Sequence, residues 1–345
     1  MQLLLSALLL LAQASPEAEA LWSQGDRVEA LAIMEANLAK APNNGRLRTL
    51  LVQRELDLRH FQRAYEFSEK LPQEQFGLRG RALYFLTRYE DSLQYLRLSD
   101  RDELLMRAEA LRALGRFAEL DALLPKLHEN LGSDSLNLQM IEARIYLRKK
   151  DYKAALPILR QVTARDPLQA EALFNLGRVL VRQGSREEGL ELLEQHRLLT
   201  PLLDKLDFAK RGVALAPRGG ANQAALGDAF RDLIGFDKRL SQKAASAYER
   251  GLALATESEI TPIALRLARF QKEWLLNSEA ATTLLLKTIE RHDDLRLRVR
   301  AADYYAELDK LDEALALLAK LALERPGDQA LQSRVTRWRK QRDSR

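Results

Sequence analysis

The feature that most constrains this chain is a repeat with an interval of 34 residues. Four pairs of residues share the interval: Ala143 with Gly177, Tyr146 with Leu180, Ala155 with Gly189, and Pro167 with Pro201. Within each interval, apolar residues recur at three- and four-residue steps in two runs, which a short polar or glycine-containing turn separates and a proline closes. This pattern predicts an antiparallel pair of helices that is repeated along the chain.

Each predicted helix pair leaves one apolar face uncovered, and stacking of the next pair onto that face buries it. The repeat therefore predicts an elongated α-solenoid with a continuous narrow core. The composition agrees with an all-α fold, because Leu and Ala dominate and the 345 residues include only 16 glycines and 10 prolines. Such a chain has too few turn residues for a fold rich in strands.

The repeated residues resemble the pattern of the tetratricopeptide repeat family. The best-matching unit carries Leu173, Leu176, Gly177, Leu180, Gly184, Leu193 and Pro201, and the units at residues 21–42, 143–167 and 302–326 also match well. The resemblance implies a right-handed α-solenoid of about nine hairpins with a C-terminal capping helix. Between these units the pattern loosens, and the irregular units fit generic hairpins of another solenoid class equally well.

The chain divides into five predicted segments. They are a signal peptide at 1–14, a first repeat array at 15–201, an extra helix and linker at 202–220, a second array at 221–329, and a basic capping helix and tail at 330–345. Pro201 is expected to end a helix, and the Pro-Arg-Gly-Gly run from Pro217 is the strongest break in the chain. The segment at 202–220 fits a hinge between two arrays or a rigid spacer within one array.

The signal peptide is predicted from an apolar run at residues 3–12, followed by small residues at Ala12 and Ala14. The run is too short to span a bilayer. Met1 and Gln2 supply no basic side chain, so a buried helix start is the alternative. Cleavage after Ala14 would leave Ser15 as a helix N-cap, followed by proline and glutamate. We therefore expect an exported, periplasmic protein, or a cytoplasmic one if the segment is retained.

The sequence offers little chemistry. It contains no cysteine, which excludes disulfides, thiol nucleophiles and cysteine zinc sites. Its four histidines fall in different repeats without a metal-binding or catalytic motif. We therefore expect no catalytic residue, metal ligand or cofactor, and no enzymatic activity. The net charge of +5 is the remainder of 54 basic and 49 acidic side chains, so nucleic acid is not an expected partner.

In tetratricopeptide repeat proteins, the first helix of each unit lines a concave groove. The resemblance implies that the groove positions of the two regular central units are Met140, Arg144, Arg148, Phe174, Asn175, Arg178 and Arg182. Arginines on successive turns predict a basic ladder that suits an acidic protein or peptide partner. The alternative is that they are solvated arginines paired with nearby glutamates. Asn175 also matches the clamp of chaperone-binding members, but Met140 and Arg144 replace its lysine and asparagine, so that clamp is absent.

The leading functional hypothesis is a non-enzymatic scaffold or adaptor of the bacterial cell envelope. The alternatives are an assembly adaptor for polysaccharide export or secretion, and a cytosolic regulatory factor if the N-terminal segment is retained. Sugar binding is disfavoured because Phe174 is the only aromatic residue at the central groove positions. The basic residues of the C-terminal tail predict either weak contact with an anionic membrane or polysaccharide, or a solubilising cap.

Overall fold

The computed structural model describes residues 15–344 of the chain. Over this range the chain forms nineteen α-helices and two short 3₁₀ turns, without a β-strand. The helices follow one another as nine antiparallel hairpins and a final single helix. The prediction of an all-α solenoid with a C-terminal capping helix is confirmed. The predicted signal peptide at 1–14 lies outside the described residues.

The helices divide between two compact units. One unit extends to Leu203 and includes Ala214–Ala216, and the other comprises Asp204–Val213 and Pro217–Arg345. The boundary falls within one helix, α12. None of the helices in residues 15–344 has the length and apolar character needed to cross a bilayer.

The first unit contains five hairpins, α11 and the first part of α12, and each odd-numbered helix is the first helix of its pair. Their bounds are α1 Pro16–Gln24, α2 Arg27–Lys40, α3 Gly45–Asp57, α4 Phe61–Phe67, α5 Phe76–Phe85, α6 Tyr89–Ser92, α7 Arg101–Ala113, α8 Phe117–Leu131, α9 Leu136–Arg148, α10 Tyr152–Arg165, α11 Ala170–Arg182 and α12 Arg186–Leu215. The 3₁₀ turns Ser68–Lys70 and Gln73–Gln75 connect α4 to α5. The short helices α4 and α6 lie where the repeat pattern of the sequence loosens.

The second unit contains three hairpins and the capping helix. Their bounds are α13 Gly220–Asp232, α14 Leu240–Ala253, α15 Glu257–Glu273, α16 Ser278–Arg291, α17 Leu295–Glu307, α18 Leu311–Glu324 and α19 Gln329–Asp343. Helix α19 buries Leu331, Val335 and Trp338 in one cluster with residues of α17 and α18. Its opposite face is polar and basic, which is how a terminal helix closes a repeat array.

Helix α12 departs from the sequence prediction, because Pro201 does not end it. A proline inside a helix removes a backbone hydrogen bond and costs about 3 kcal/mol. Leu199 and Leu206, on either side of Pro201, are 0% and 6% exposed. Burial on both sides of the proline keeps the helix continuous, so residues 202–215 continue α12 and do not form a separate helix. The predicted extents of the two arrays stay predictions.

Helix starts and hairpin turns follow from local side-chain and backbone chemistry. The Asn44 Oδ1 accepts a hydrogen bond from the Leu47 backbone amide at 3.0 Å, and the Asp328 Oδ1 accepts one from that of Leu331 at 3.0 Å. Each bond satisfies an amide that has no partner within its own helix. The turn between α11 and α12 contains Gly184, whose φ of 94° lies in the left-handed region that glycine adopts without strain.

The two helices of a hairpin cross at small residues. A Cβ atom added to Gly177 of α11 would lie 2.8 Å from the carbonyl oxygen of Gly189 on α12, and one added to Gly189 would lie 2.6 Å from that of Gly177. The two backbones are therefore in direct contact. Ala143 and Ala155, the equivalent positions one repeat earlier, are both fully buried. Small residues stand where the helices approach, as the repeat interval predicts.

We expect Gly177→Ala to destabilise the first unit. Alanine favours a helix over glycine by about 1 kcal/mol, but its Cβ would press on the Gly189 carbonyl and on Leu193 Cγ, 2.9 Å away. Overpacking of this kind costs about 1–3 kcal/mol net. Urea denaturation followed by circular dichroism measures the loss.

The control is Gly235→Ala. Gly235 has no atom within 4 Å of the position of an added Cβ, and its φ is not in the left-handed region. We expect this change to leave the urea midpoint nearly unchanged. Equal effects of the two substitutions would show that the helix crossing tolerates a side chain.

Candidate functional site

Four of the seven predicted groove residues lie around one cavity. They project from α9 and α11, the first helices of consecutive hairpins. The cavity has a volume of about 230 Å³ and is lined by Leu147, Arg148, Tyr152, Asn175, Arg178, Val179 and Arg182. We call it the cationic pocket, because three of these seven residues are arginines, Arg148, Arg178 and Arg182. Helix α10 contributes Tyr152, its first residue.

Met140 departs from the prediction that it contacts a partner. Its side chain is only 2% exposed and packs with Ala143 of α9 and with Ala172 and Leu176 of α11. An apolar side chain at this position of α9 faces the neighbouring first helix, so it fills the space between the two helices. Met140 therefore belongs to the core between these helices.

Arg144 links three consecutive first helices. Its Nε donates a hydrogen bond to Glu171 Oε1 of α11 at 2.6 Å, and its guanidinium also bonds Glu109 of α7. Burial lowers the pKa of Arg144, but the hydrogen bond with Glu171 and the charge of Glu109 raise it above its usual value overall. Both carboxylates are bonded to this guanidinium. Arg144 therefore fits the alternative expectation, that the groove arginines pair with nearby glutamates.

Arg148 is also held within the protein. Its Nη2 donates to both carboxylate oxygens of Asp121, at 3.2 Å each, and its guanidinium lies 4.3 Å from the centre of the Phe117 ring. Asp121 and Phe117 both belong to α8. Arg148 therefore forms one wall of the cationic pocket with its charge compensated by Asp121.

Arg178 and Arg182 differ from the other two arginines. Both are exposed, and neither forms an ion pair with any carboxylate of residues 15–344. Arg178 lies 5.3 Å from the centre of the Phe174 ring. Arg182 lies 5.3 Å from the centre of the Tyr152 ring and donates a hydrogen bond to the Tyr152 hydroxyl. These two guanidinium groups carry the uncompensated positive charge of the pocket.

Phe174 does not line the cationic pocket. Its ring is 37% exposed, and its centre lies 5.1 Å from that of the His196 ring on α12. It supports Arg178 from the side. The structure thus brings Arg148, Asn175, Arg178 and Arg182 together around one cavity, whereas Phe174 contacts Arg178 without lining it.

Tyr152 lines the pocket but is not among the groove residues predicted from the sequence. Its pairing with Arg182 has a counterpart one hairpin earlier, where Phe117 pairs with Arg148. In both pairs, an aromatic residue begins a second helix and an arginine ends the next first helix. An aromatic residue followed by arginine about 30 residues later is the sequence signal that could have identified it.

The pocket has the chemistry to bind a carboxylate. Guanidinium groups present planar pairs of N–H donors that match the two oxygens of a carboxylate. The Asn175 amide can donate or accept a hydrogen bond at the same cavity. Their placement in a concave site reduces solvent screening and so strengthens attraction to an anion.

The histidines do not converge on a site. His60 lies 2.7 Å from Glu55, His128 lies 3.0 Å from Glu142, and His292 lies 3.1 Å from Glu257. These pairs are in different hairpins. Within the part of the chain that the structure describes, no three His, Asp or Glu side chains are grouped so that they could hold a metal ion.

Residues 146–202, which include α10, α11 and all seven residues that line the cationic pocket, match the tetratricopeptide repeat family model. This segment of the chain is therefore similar to tetratricopeptide repeats. The matched segment includes Asn175, Arg178 and Arg182. A comparison with curated proteins gives no significant match.

Several solved structures resemble the chain at low identity. A thermophilic TPR protein of Thermus thermophilus is 21% identical, with 59% of this chain and 98% of that chain covered and a TM-score of 0.32. MamA AMB-1 is 19% identical, with 53% and 91% covered and a TM-score of 0.30. Naa15/Naa10 bound to HypK-THB gives 13% identity, 92% and 54% coverage and a TM-score of 0.36. At these values the resemblances say nothing about what the chain binds.

We expect Arg144→Met to lower the free energy of unfolding by about 1 kcal/mol at neutral pH. The loss is smaller than for a fully buried ion pair, because Glu171 is partly exposed and solvent screens its charge. Burial raises the pKa of Glu171, but the hydrogen bond from Arg144 holds it below its usual 4.5 overall. A carboxylate with a lowered pKa stabilises the fold above its unfolded-state pKa and loses that effect as the pH falls. The difference in the free energy of unfolding between the wild type and Arg144→Met should therefore shrink below about pH 4.5.

Arg160→Met is the matched control, because Arg160 of α10 pairs with Glu188 of α12 at 2.9 Å on the exposed surface and contacts neither Glu109 nor Glu171. We expect a loss of less than about 0.5 kcal/mol for this variant. Urea denaturation at a series of pH values from 7 downwards measures the free energy of unfolding of both variants. A difference for Arg144→Met that stays constant through pH 4 would contradict the assigned role of Glu171.

Proposed function

We propose that this protein is a non-enzymatic interaction scaffold whose cationic pocket binds an acidic segment of a protein partner. Tetratricopeptide repeat proteins are generally scaffolds of this kind. One observation carries the proposal: Arg178 and Arg182 face a cavity and have no carboxylate partner within residues 15–344. The internal pairing of Arg144 and Arg148 leaves these two as the attachment point.

The size of the pocket supports a side chain as its occupant. A volume of about 230 Å³ is smaller than the roughly 300–1,000 Å³ of sites that enclose whole small molecules. An aspartate or glutamate of an extended segment would place its carboxylate between the two guanidinium groups. Its backbone could then bond the Asn175 amide at the rim.

The aromatic residues near the pocket favour a peptide over a polysaccharide. Sugar rings bind by stacking on an open aromatic face. The Tyr152 and Phe174 rings each have a guanidinium 5.3 Å from the ring centre. These arginines cover the ring faces, so acidic recognition fits the site better than sugar stacking does.

We also propose that the protein acts in the bacterial cell envelope after export to the periplasm. The apolar run at residues 3–12 and the small residues at Ala12 and Ala14 support export. Ser15 accepts a hydrogen bond from the Ala18 backbone amide at 3.5 Å as the N-cap of α1, so the helix begins just after the proposed cleavage point. A role as an assembly adaptor for a secretion or polysaccharide-export machine is compatible with this location.

Cleavage gives a direct prediction. Protein isolated from its native host should begin at Ser15, because the small side chains at Ala12 and Ala14 suit a signal peptidase. Intact-mass spectrometry and N-terminal sequencing measure this. Mature protein that retains Met1 would contradict export and favour a cytosolic regulatory role.

Charge reversal of the two uncompensated arginines should abolish selection for acidic peptides. The probe is a pair of labelled decapeptide libraries that differ only in two central residues, Glu-Glu or Gln-Gln. We expect the wild type to prefer the Glu library by about tenfold or more, since hydrogen bonds between charged groups contribute about 1.5–3 kcal/mol. Arg178→Glu combined with Arg182→Glu should remove this preference in fluorescence anisotropy.

The control is Arg186→Glu combined with Arg218→Glu, which changes the net charge equally at two exposed arginines outside the pocket. The preference for Glu should persist in this control and weaken as salt is added. Equal binding of both libraries by the wild type would refute the proposed function.

A further inference from the structure

A second cavity lies one hairpin before the cationic pocket. It has a volume of about 330 Å³ and is formed by the first helices α5, α7 and α9. Its apolar wall consists of Tyr84, Phe85, Leu105 and Met106, and the buried residues Met140 and Ile141 form its floor. We call it the apolar cavity. It shares α9 with the cationic pocket, so both sites lie along the same row of first helices.

The wall of the apolar cavity is partly rigid and partly adaptable. Phe85 is 43% exposed and stacks on Phe61 with ring centres 4.5 Å apart and planes at 13°. The edge of Tyr84 meets Phe85 at 5.3 Å. These rings fix one wall, whereas Met106 can change its rotamer to fit an incoming side chain. A cavity of this kind is suited to a large apolar side chain.

The charges at the two sites differ in sign. At the apolar cavity, Glu109 is compensated by Arg144, while the exposed Asp102 has no cationic partner within residues 15–344. At the cationic pocket, Arg178 and Arg182 are uncompensated. An acidic residue is therefore repelled from the first site and attracted to the second. This difference favours one alignment of a bound segment.

The spacing of the sites sets the spacing of the residues they would hold. Along α9 the apolar cavity is centred near Ile141 and the cationic pocket near Arg148, seven residues later, which corresponds to about 10 Å of helix. Moving from the α7–α9 interface to the α9–α11 interface adds a sideways step of about 9 Å. The combined separation of about 14 Å is spanned by about four residues of extended chain.

We propose that one extended segment of a partner protein occupies both sites, with an apolar side chain in the apolar cavity and an acidic side chain about four residues away in the cationic pocket. This inference rests on the proposed function. The charge difference identifies the occupant as a segment that is apolar at one end and acidic at the other. Residues 1–14 of this chain contain no aspartate or glutamate and do not meet this requirement.

Labelled synthetic peptides test the inference. Each peptide has 14 residues of Gly and Ser, with one Phe and one Glu-Glu pair separated by one, four or eight positions, in both orders. We expect the tightest binding at the separation of four, in one of the two orders. Replacing the Phe by Ser should weaken that peptide about tenfold, because a buried phenyl ring contributes strongly to affinity. Affinity that is independent of the separation would overturn the inference.

Variants of the protein separate the two sites. Met106→Glu should make binding insensitive to the peptide Phe while preserving the preference for Glu over Gln. Phe85→Ser serves the same purpose if Met106→Glu alters the circular dichroism spectrum. The matched control is Leu323→Glu on α18, where the leucine is 83% exposed, and this change should leave both preferences intact.

The two proposals fail in different ways. If the wild-type protein binds Glu and Gln peptides equally, the proposed function is refuted, and this inference with it. A retained preference for Glu with no effect of the peptide Phe would refute the second site alone. Binding of the chain to a second copy of itself, seen as concentration-dependent mass in light scattering and abolished by Met106→Glu, would overturn the assignment to a partner protein.

Discussion

Each helical hairpin of this protein can bury its apolar side only against the hairpins next to it, so the distance between helices determines where every surface group lies. At the best-matching repeat, the backbones of Gly177 and Gly189 meet with no room for a Cβ atom. This contact fixes α11 against α12 and places the last turn of α11. Arg182 lies in that turn and reaches Tyr152 on the preceding hairpin. The cationic pocket therefore depends on a close approach of two glycines.

Most of the fold could be predicted because its causes are local and periodic. The repeat interval fixes where small residues recur, and the apolar steps between them define the helices. Pro201 was the exception, since a proline normally ends a helix and here does not. Leu199 and Leu206, on either side of Pro201, are both buried. That burial depends on tertiary packing, which the helix propensity of a sequence does not describe.

The site was predicted less completely because its chemistry depends on residues that are distant in sequence. The resemblance to the tetratricopeptide repeat placed all four arginines at groove positions of first helices. It could not reveal that Glu109 and Glu171 neutralise Arg144, or that Asp121 neutralises Arg148, since these carboxylates come from other hairpins. Stacking of the hairpins decides which charges are compensated.

The aromatic partners of the uncompensated arginines give the pocket a further property. A guanidinium stacked on a ring keeps its positive charge, whereas one paired with a carboxylate loses most of its attraction for another anion. The rings of Phe174 and Tyr152 restrict Arg178 and Arg182 without neutralising them. Side chains that are already ordered lose less conformational entropy when a ligand binds. The same contacts that support these arginines therefore prepare them to bind an acidic segment.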